Sequence, residues 1–218
     1  MKQIRSPFLI HQDFLSPKMC DEIISANRIP SITPDNASQD SGKTEKHLLT
    51  LKVPLWEMLT DDGVKTEVEE RYSANVAKFE VPVLQHYPQN DAVQYAEPPG
   101  CPAAKYVRRK WVKTKDADLV GYIWLKDFND SMPLDREFEI YGGRLEFPQF
   151  DFSLVPQRGT LVIFPATPNF ITLVSPIFVG DLYQIRFLMK LAPKDESSWF
   201  YQPSDFPGTY QEWFNQYV

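Results

Sequence analysis

The chain has 218 residues, a formal net charge of −6, a pI near 5.1, and a composition that is 43% hydrophobic, 24% charged and 14% aromatic. That length suits one elaborated domain whose core needs no disulfides, and the composition excludes a disordered chain, collagen and a coiled coil. The acidic balance argues against a general nucleic-acid binder, and no run approaches the roughly 18 apolar residues of a membrane span.

The opening predicts a short strand at Pro7-Phe8-Leu9-Ile10 and then a helix. Ser16 is placed to cap it, Pro17 suits its first position, and Asp21 and Glu22 are expected in its first turn. Met19, Ile23 and Ile24 share one face of that helix. Residues 30–46 are polar and turn-rich and read as a loop. From about Trp56 to Ala77 the pattern favours a second helix, with Asp61-Asp62-Gly63 as a candidate interruption. Short β-rich segments follow at 79–84, 119–125, 144–147, 160–164, 170–177 and 182–191. Turn signals separate them at 141–143, 156–159 and 179–181.

Nineteen prolines against nine glycines fit many short strands. Two helices followed by several strands predict a mostly β fold, a sandwich or jelly roll with helices packed outside. Cys20 and Cys101 form no C-x-x-C motif and read as reduced thiols. The first residues lack the apolar run of a signal peptide, so synthesis in a cytosol is expected.

Two surface segments stand out. Residues 105–115, KYVRRKWVKTK, interleave cations with Tyr106 and Trp111. They read either as a phosphate contact or as one solvated face of a strand or loop, and the global charge favours the second. Residues 192–218 are acidic and rich in aromatics, including Trp199, Phe200, Tyr201, Trp213 and Phe214. These either pack back on the domain or anchor a partner protein.

Four stretches together resemble the prolyl-4-hydroxylase-like branch of the iron(II)/2-oxoglutarate dioxygenases, over residues 7–191. DFLSPKMCDEII (13–24) is similar to that family's opening strand and helix. YGGRLEFP (141–148), PQRGTLVIFPA (156–166) and VSPIFVGDLYQI (174–185) are similar to three of its barrel strands. The resemblance implies a double-stranded β-helix, with a helical N-terminal part over about 1–78, a barrel over about 79–191 and an aromatic C-terminal extension.

The resemblance also implies where a site should be. Such enzymes hold Fe(II) with two histidines and a carboxylate, and bind the distal carboxylate of 2-oxoglutarate with a cation. The family's His-x-Asp, counted from Tyr87, falls on Ala96 and Pro98. Its distal histidine falls on Thr172 and its cosubstrate arginine on Leu182. None of the four carries the required group.

The chain has only three histidines, His11, His47 and His86, and none of them precedes a Val-x-Pro strand. His11-Gln12-Asp13 matches His-x-Asp only formally, and His86 reads as a hydrogen-bonded structural residue. Arg186 lies four residues beyond the lost arginine position, on the same strand face, where it either contacts an anion in the barrel or makes an ordinary charge pair.

The expectation is therefore a dioxygenase-like protein without catalysis, a structural or protein-binding module that needs no cofactor. Its interior should be filled by Ala96, Pro98, Thr172 and Leu182, with other proteins as partners. Such family members are common in bacteriophage genomes, so the resemblance extends to a virion part such as a neck, tail or baseplate protein. The alternative is an active Fe(II)/2-oxoglutarate hydroxylase with an atypical site. A nucleic-acid role through 105–115 is a third, less favoured reading.

Overall fold

In the computed structural model of the chain, the described residues are 6–27, 43–48, 55–60, 62–89, 97–129 and 139–194. Strand β1 (Leu9–His11) leads into helix α1 (Pro17–Ala26), whose cap is the expected one: the Ser16 hydroxyl accepts from Met19 N at 3.3 Å, with Pro17 at the first position. Cys20 and Ile23 are the buried residues of α1, and Met19 and Ile24 pack at the margin. Asp21 and Glu22 lie beyond the first turn rather than in it. Asp21 instead meets the guanidinium of Arg158, a partner 137 residues away that no local pattern reveals.

The segment expected to be a loop ends in strand β2 (Thr44–His47), which pairs antiparallel along an edge of the main sheet. Its sequence, TEKH, has no apolar alternation, so pairing rather than propensity makes it a strand. The helix expected over 56–77 is two shorter ones, α2 (Leu55–Thr60) and α3 (Asp62–Arg71). The chain then turns at Ser73, φ 52°, into β3 (Ala74–Phe79). Glu69 caps this change by accepting from Val76 N at 2.8 Å, and Arg71 donates to the carbonyls of Ser6 and Phe8 at 3.1 Å. The N-terminal part thus supplies three strands as well as its helices.

The remaining strands are β4 (Val83–Tyr87), β5 (Glu97–Gly100), β6 (Ala104–Val107), β7 (Lys110–Lys113), β8 (Leu119–Trp124), β9 (Asp127–Phe128), β10 (Glu139–Gly142), β11 (Leu145–Phe147), β12 (Phe152–Leu154), β13 (Leu161–Pro165), β14 (Thr172–Val174), β15 (Ile177–Val179) and β16 (Leu182–Pro193). The strand expected at 79–84 is therefore the junction of β3 and β4, interrupted before Pro82, which has no N–H to give a ladder. The one expected at 170–177 is divided by Ser175-Pro176 for the same reason.

The major sheet runs β1-β13-β8-β16-β4-β2, with β3 beside the far end of β16; the minor sheet runs β12-β11-β14-β5. In chain order the barrel strands cross repeatedly from one sheet to the other, and every pairing within these two sheets is antiparallel. This is the double-stranded β-helix. A small β15-β10-β9 sheet flanks it, and β6-β7 forms a separate two-stranded ribbon.

Alternation along the major sheet creates two cores. Leu119 and Ile123 of β8, Leu161 and Ile163 of β13, and Ile185, Phe187 and Met189 of β16 face the helices, with Leu55, Leu59 and Val68 from α2 and α3. Val120, Tyr122, Trp124, Val162, Phe164 and Leu188 face the barrel interior. There Phe8 sits among Phe147, Phe150, Phe152, Phe164 and Phe170, with ring centroids 5.1–6.1 Å away. Such offset and edge-on contacts add to the burial energy. Burial in the helix-side core pushes the Cys20 thiol up to about 11, despite the nearby Arg158 charge. Both cysteines are free and buried.

The turn at 156–159 joins these layers. Arg158 reaches Pro17 O at 2.9 Å as well as Asp21, while its N–H donates to Asp127 at 3.0 Å. Gly159 has φ +79°, donates to Trp124 O at 2.8 Å and accepts from Leu15 N at 3.0 Å. A Cβ there would stand 2.0 Å from Leu15 O. Gly159→Ala is expected to lower the unfolding free energy by about 2 kcal/mol or more, read as a lower midpoint in urea. An unchanged midpoint would show that this turn does not fix α1 to the sheet.

Candidate functional site

Leu182 is the first residue of β16 and is fully buried on the inner face of the barrel, in the cluster with Ile140, Leu145, Val174 and Ile177. Gly143, φ +70°, lets it close in: a Cβ there would lie 3.3 Å from both Leu182 Cδ2 and Ile177 Cγ1. Thr172 opens β14, 7% exposed, opposite Gly100 of β5. Pro98 lies within β5, although its side chain is outside the description. Ala96 and the aromatic residues Trp199, Phe200, Tyr201, Trp213 and Phe214 lie outside the described residues.

A polar rung that sequence reasoning did not find crosses the inner face beside Leu182. Glu45, Gln85, Gln184 and Trp124 are cross-strand neighbours on β2, β4, β16 and β8. Gln85 donates to Glu45 Oε1 at 2.7 Å, and Gln184 donates to Gln85 Oε1 at 2.9 Å and to the Tyr87 hydroxyl at 3.3 Å. Gln184 and Gln85 are fully buried. The signal was present in the sequence as glutamines at 85 and 184, inside strands rich in apolar residues. At the inner end, Gln184 Oε1 and Trp124 Nε1 find no hydrogen-bond partner among the described residues. The rung thus ends in one acceptor and one donor, both neutral.

Among the described residues, charge meets this rung at Glu45. Arg186 Nη2 is 3.5 Å from Glu45 Oε1, and Lys43 Nζ is 2.9 Å from the same oxygen. Partial burial alone would push the Glu45 carboxyl up, but the Arg186 charge, with the Lys43 and Gln85 hydrogen bonds, holds it down at about 2. Of the two roles open to Arg186, the structure gives it the charge pair, with the chain's own Glu45.

The three histidines are placed by different elements. His11, on β1, pairs with Glu67 of α3 at 2.8 Å. His86, on β4, turns away from the barrel, stacks on Tyr183 at 4.4 Å and bonds Asp181 Oδ2 at 3.1 Å. Its other nitrogen is 3.4 Å from the Thr44 hydroxyl. Asp181 also accepts from Gln89 N at 2.9 Å; burial opposes its ionised form, but the bonds from His86 and Gln89 hold its carboxyl below the usual range. His86 therefore fastens the turn before β16 to β4.

Four strand steps separate β1 from β4, roughly 19 Å at the usual spacing. His47 pairs with Val83, three positions from the Thr44–His86 rung and on the opposite face. No two imidazoles converge, and among the described residues no three His, Cys, Asp or Glu side chains come together as a metal-holding group. The described donors thus do not fit an iron site of two histidines and a carboxylate. A shallow groove of about 360 Å³ on the minor sheet, bordered by Arg144, Glu146, Asp151 and Phe152, lies on the outer side and is unconnected to the rung.

No protein-family model and no curated protein matches the chain. Solved structures do match it. The viral collagen prolyl hydroxylase of Paramecium bursaria Chlorella virus-1, solved as a 2OG complex, superposes with a TM-score of 0.61 at 15% identity, covering 87% of this chain and 97% of that one. A Trichoplax adhaerens prolyl hydroxylase, in complex with a hypoxia-inducible-factor oxygen degradation domain peptide fragment, gives 0.55 at 12%, covering 84% and 83%. A Pseudomonas putida prolyl-4-hydroxylase gives 0.53 at 11%, covering 84% and 92%. At these identities the likeness is one of architecture: the chain is built as a double-stranded β-helix of the kind that prolyl hydroxylases share.

Proposed function

We propose that the chain is a non-catalytic member of this architecture, acting as a structural or protein-binding module. The observation that carries the reading is Leu182, fully buried among apolar side chains at the position where the resemblance places a cosubstrate arginine. A leucine supplies no donor for a carboxylate, and its neighbours Ile177 and Val174 supply none either. The placement of the three histidines supports the same reading, since two-histidine ligation needs imidazoles on one face. A scaffold can keep its fold while its site changes, because the fold rests on packing and the function on a few groups.

On this reading the protein needs no cofactor, its partners are other proteins, and the aromatic residues Trp199, Phe200, Tyr201, Trp213 and Phe214 serve as docking anchors. The finer form is a virion component of a bacteriophage, such as a neck, tail or baseplate protein. This rests on the resemblance and on the aromatic, acidic composition of 192–218.

Anaerobic calorimetry of the purified protein with Fe(II) and 2-oxoglutarate, together with its metal content, tests the reading. No heat at millimolar ligand and no bound iron are expected. Micromolar binding of both would overturn it and put an atypical hydroxylase in its place. Restoring a cation by Leu182→Arg is expected to destabilise the protein by about 3 kcal/mol or more, because the guanidinium would be buried without a carboxylate partner. A variant as stable as the wild type would show that the barrel has room and solvent at that position.

A further inference from the structure

Residues 105–115 hold six of the chain's 23 lysines and arginines and none of its 29 acidic residues. The other 207 residues therefore carry a surplus of twelve negative charges, and a local surplus of six positive charges sits in one place. That place is the β6-β7 ribbon, which pairs with no other strand. Its root is anchored: Cys101, Ala103 and Ala104 are buried, and Thr114 N and Lys115 N both donate to Ala103 O at 2.8 and 3.2 Å. Beyond the root the ribbon is exposed along both edges.

Four of its cations, Lys105, Arg108, Arg109 and Lys110, have no ionic or hydrogen-bond partner among the described residues. Lys113, nearer the root, is held by Asp116 and Asp118 at 3.4 and 3.5 Å. Arg108 and Arg109 occupy the two central positions of the turn, with φ 48° and 64°. Two-residue hairpin turns with both φ positive favour Asn-Gly, and a side chain without that freedom costs about 1 kcal/mol or more per residue. The chain thus presents two guanidinium groups at its tip where a cheaper turn was available.

Tyr106 and Trp111 face each other across the ribbon with ring centroids 5.3 Å apart, and Tyr106 is 61% exposed. An acidic peptide would satisfy the cations and leave these rings in water. A duplex would supply phosphates but keep its base faces stacked inside. A single strand supplies a phosphate and a free base face in every nucleotide.

We propose that the β6-β7 ribbon binds single-stranded nucleic acid, with Lys105, Arg108, Arg109 and Lys110 on phosphates and the Tyr106–Trp111 pair against a base. Arginine forks match phosphate oxygens bidentately, and the negative charge of the rest of the surface confines the strand to the ribbon. The interaction is separate from the barrel interior, so it stands or falls independently of whether the protein is catalytic.

The test is fluorescence anisotropy of the full chain with a labelled oligothymidylate of about 15 nucleotides. Four phosphate contacts predict a log–log salt slope of about −3, or roughly a 20-fold loss of affinity between about 50 and 150 mM salt. The Arg108→Ala/Arg109→Ala double variant should bring the slope to about −1.5. Tyr106→Ala should weaken binding about tenfold at an unchanged slope. Each variant changes exposed side chains, so its urea midpoint should match the wild type and serves as the control for folding. The proposal is overturned by no binding at the lowest salt, by an arginine double variant that binds like wild type, or by a duplex or polyglutamate that competes as well as the single strand.

Discussion

Because side chains alternate across a pleated strand, the twelve residues of β16 serve two cores at once. Ile185, Phe187 and Met189 point to the helices, and Leu182, Gln184 and Leu188 point into the barrel. The strand lies between β8 and β4 and continues along β3, so it organises the centre of the major sheet. Close packing on both faces fixes its register, since a slip of one residue would carry the glutamine into the helix layer and phenylalanine into the barrel. Gly121 shows how tight the fit is: a Cβ there would stand 2.2 Å from the Phe187 ring.

The same constraint explains what was legible beforehand. The strands of the barrel carry strong local signals, because they combine β-branched and aromatic residues with glycines at Gly143, Gly159 and Gly180, all with positive φ. The Ser16-Pro17 helix start was equally local. What could not be read were elements made by distant pairing. Strand β2 is polar, and the helical pattern over 56–77 runs into the first residues of β3, which become strand by pairing with β16. The partnership of Asp21 with Arg158 spans most of the chain. In the candidate site, the glutamine rung emerged only when three strands set Gln85, Gln184 and Trp124 side by side.

The distribution of polar groups separates inside from outside. Among the described residues, the rung inside the barrel ends in neutral amide, phenol and indole groups, and Glu45, Arg186 and Lys43 satisfy one another at its outer end. Unpaired positive charge collects on the ribbon, away from that interior. On the proposed reading the interior serves stability and recognition has moved to the surface, a division that the jelly roll permits because its loops and hairpins vary while its two sheets stay packed.

The position of β16 also bears on how the protein is made. It is the last strand of the described chain, yet it belongs between β4 and β8, which begin 99 and 63 residues before it. On a growing chain those two strands have only one neighbour each and leave open hydrogen-bonding edges facing a gap. Such edges are templates for pairing with any extended segment at hand. The nascent protein therefore carries an aggregation hazard from the synthesis of β4 until β16 emerges, and closure of the sheet is a late, cooperative event that inserts the centre after the flanks.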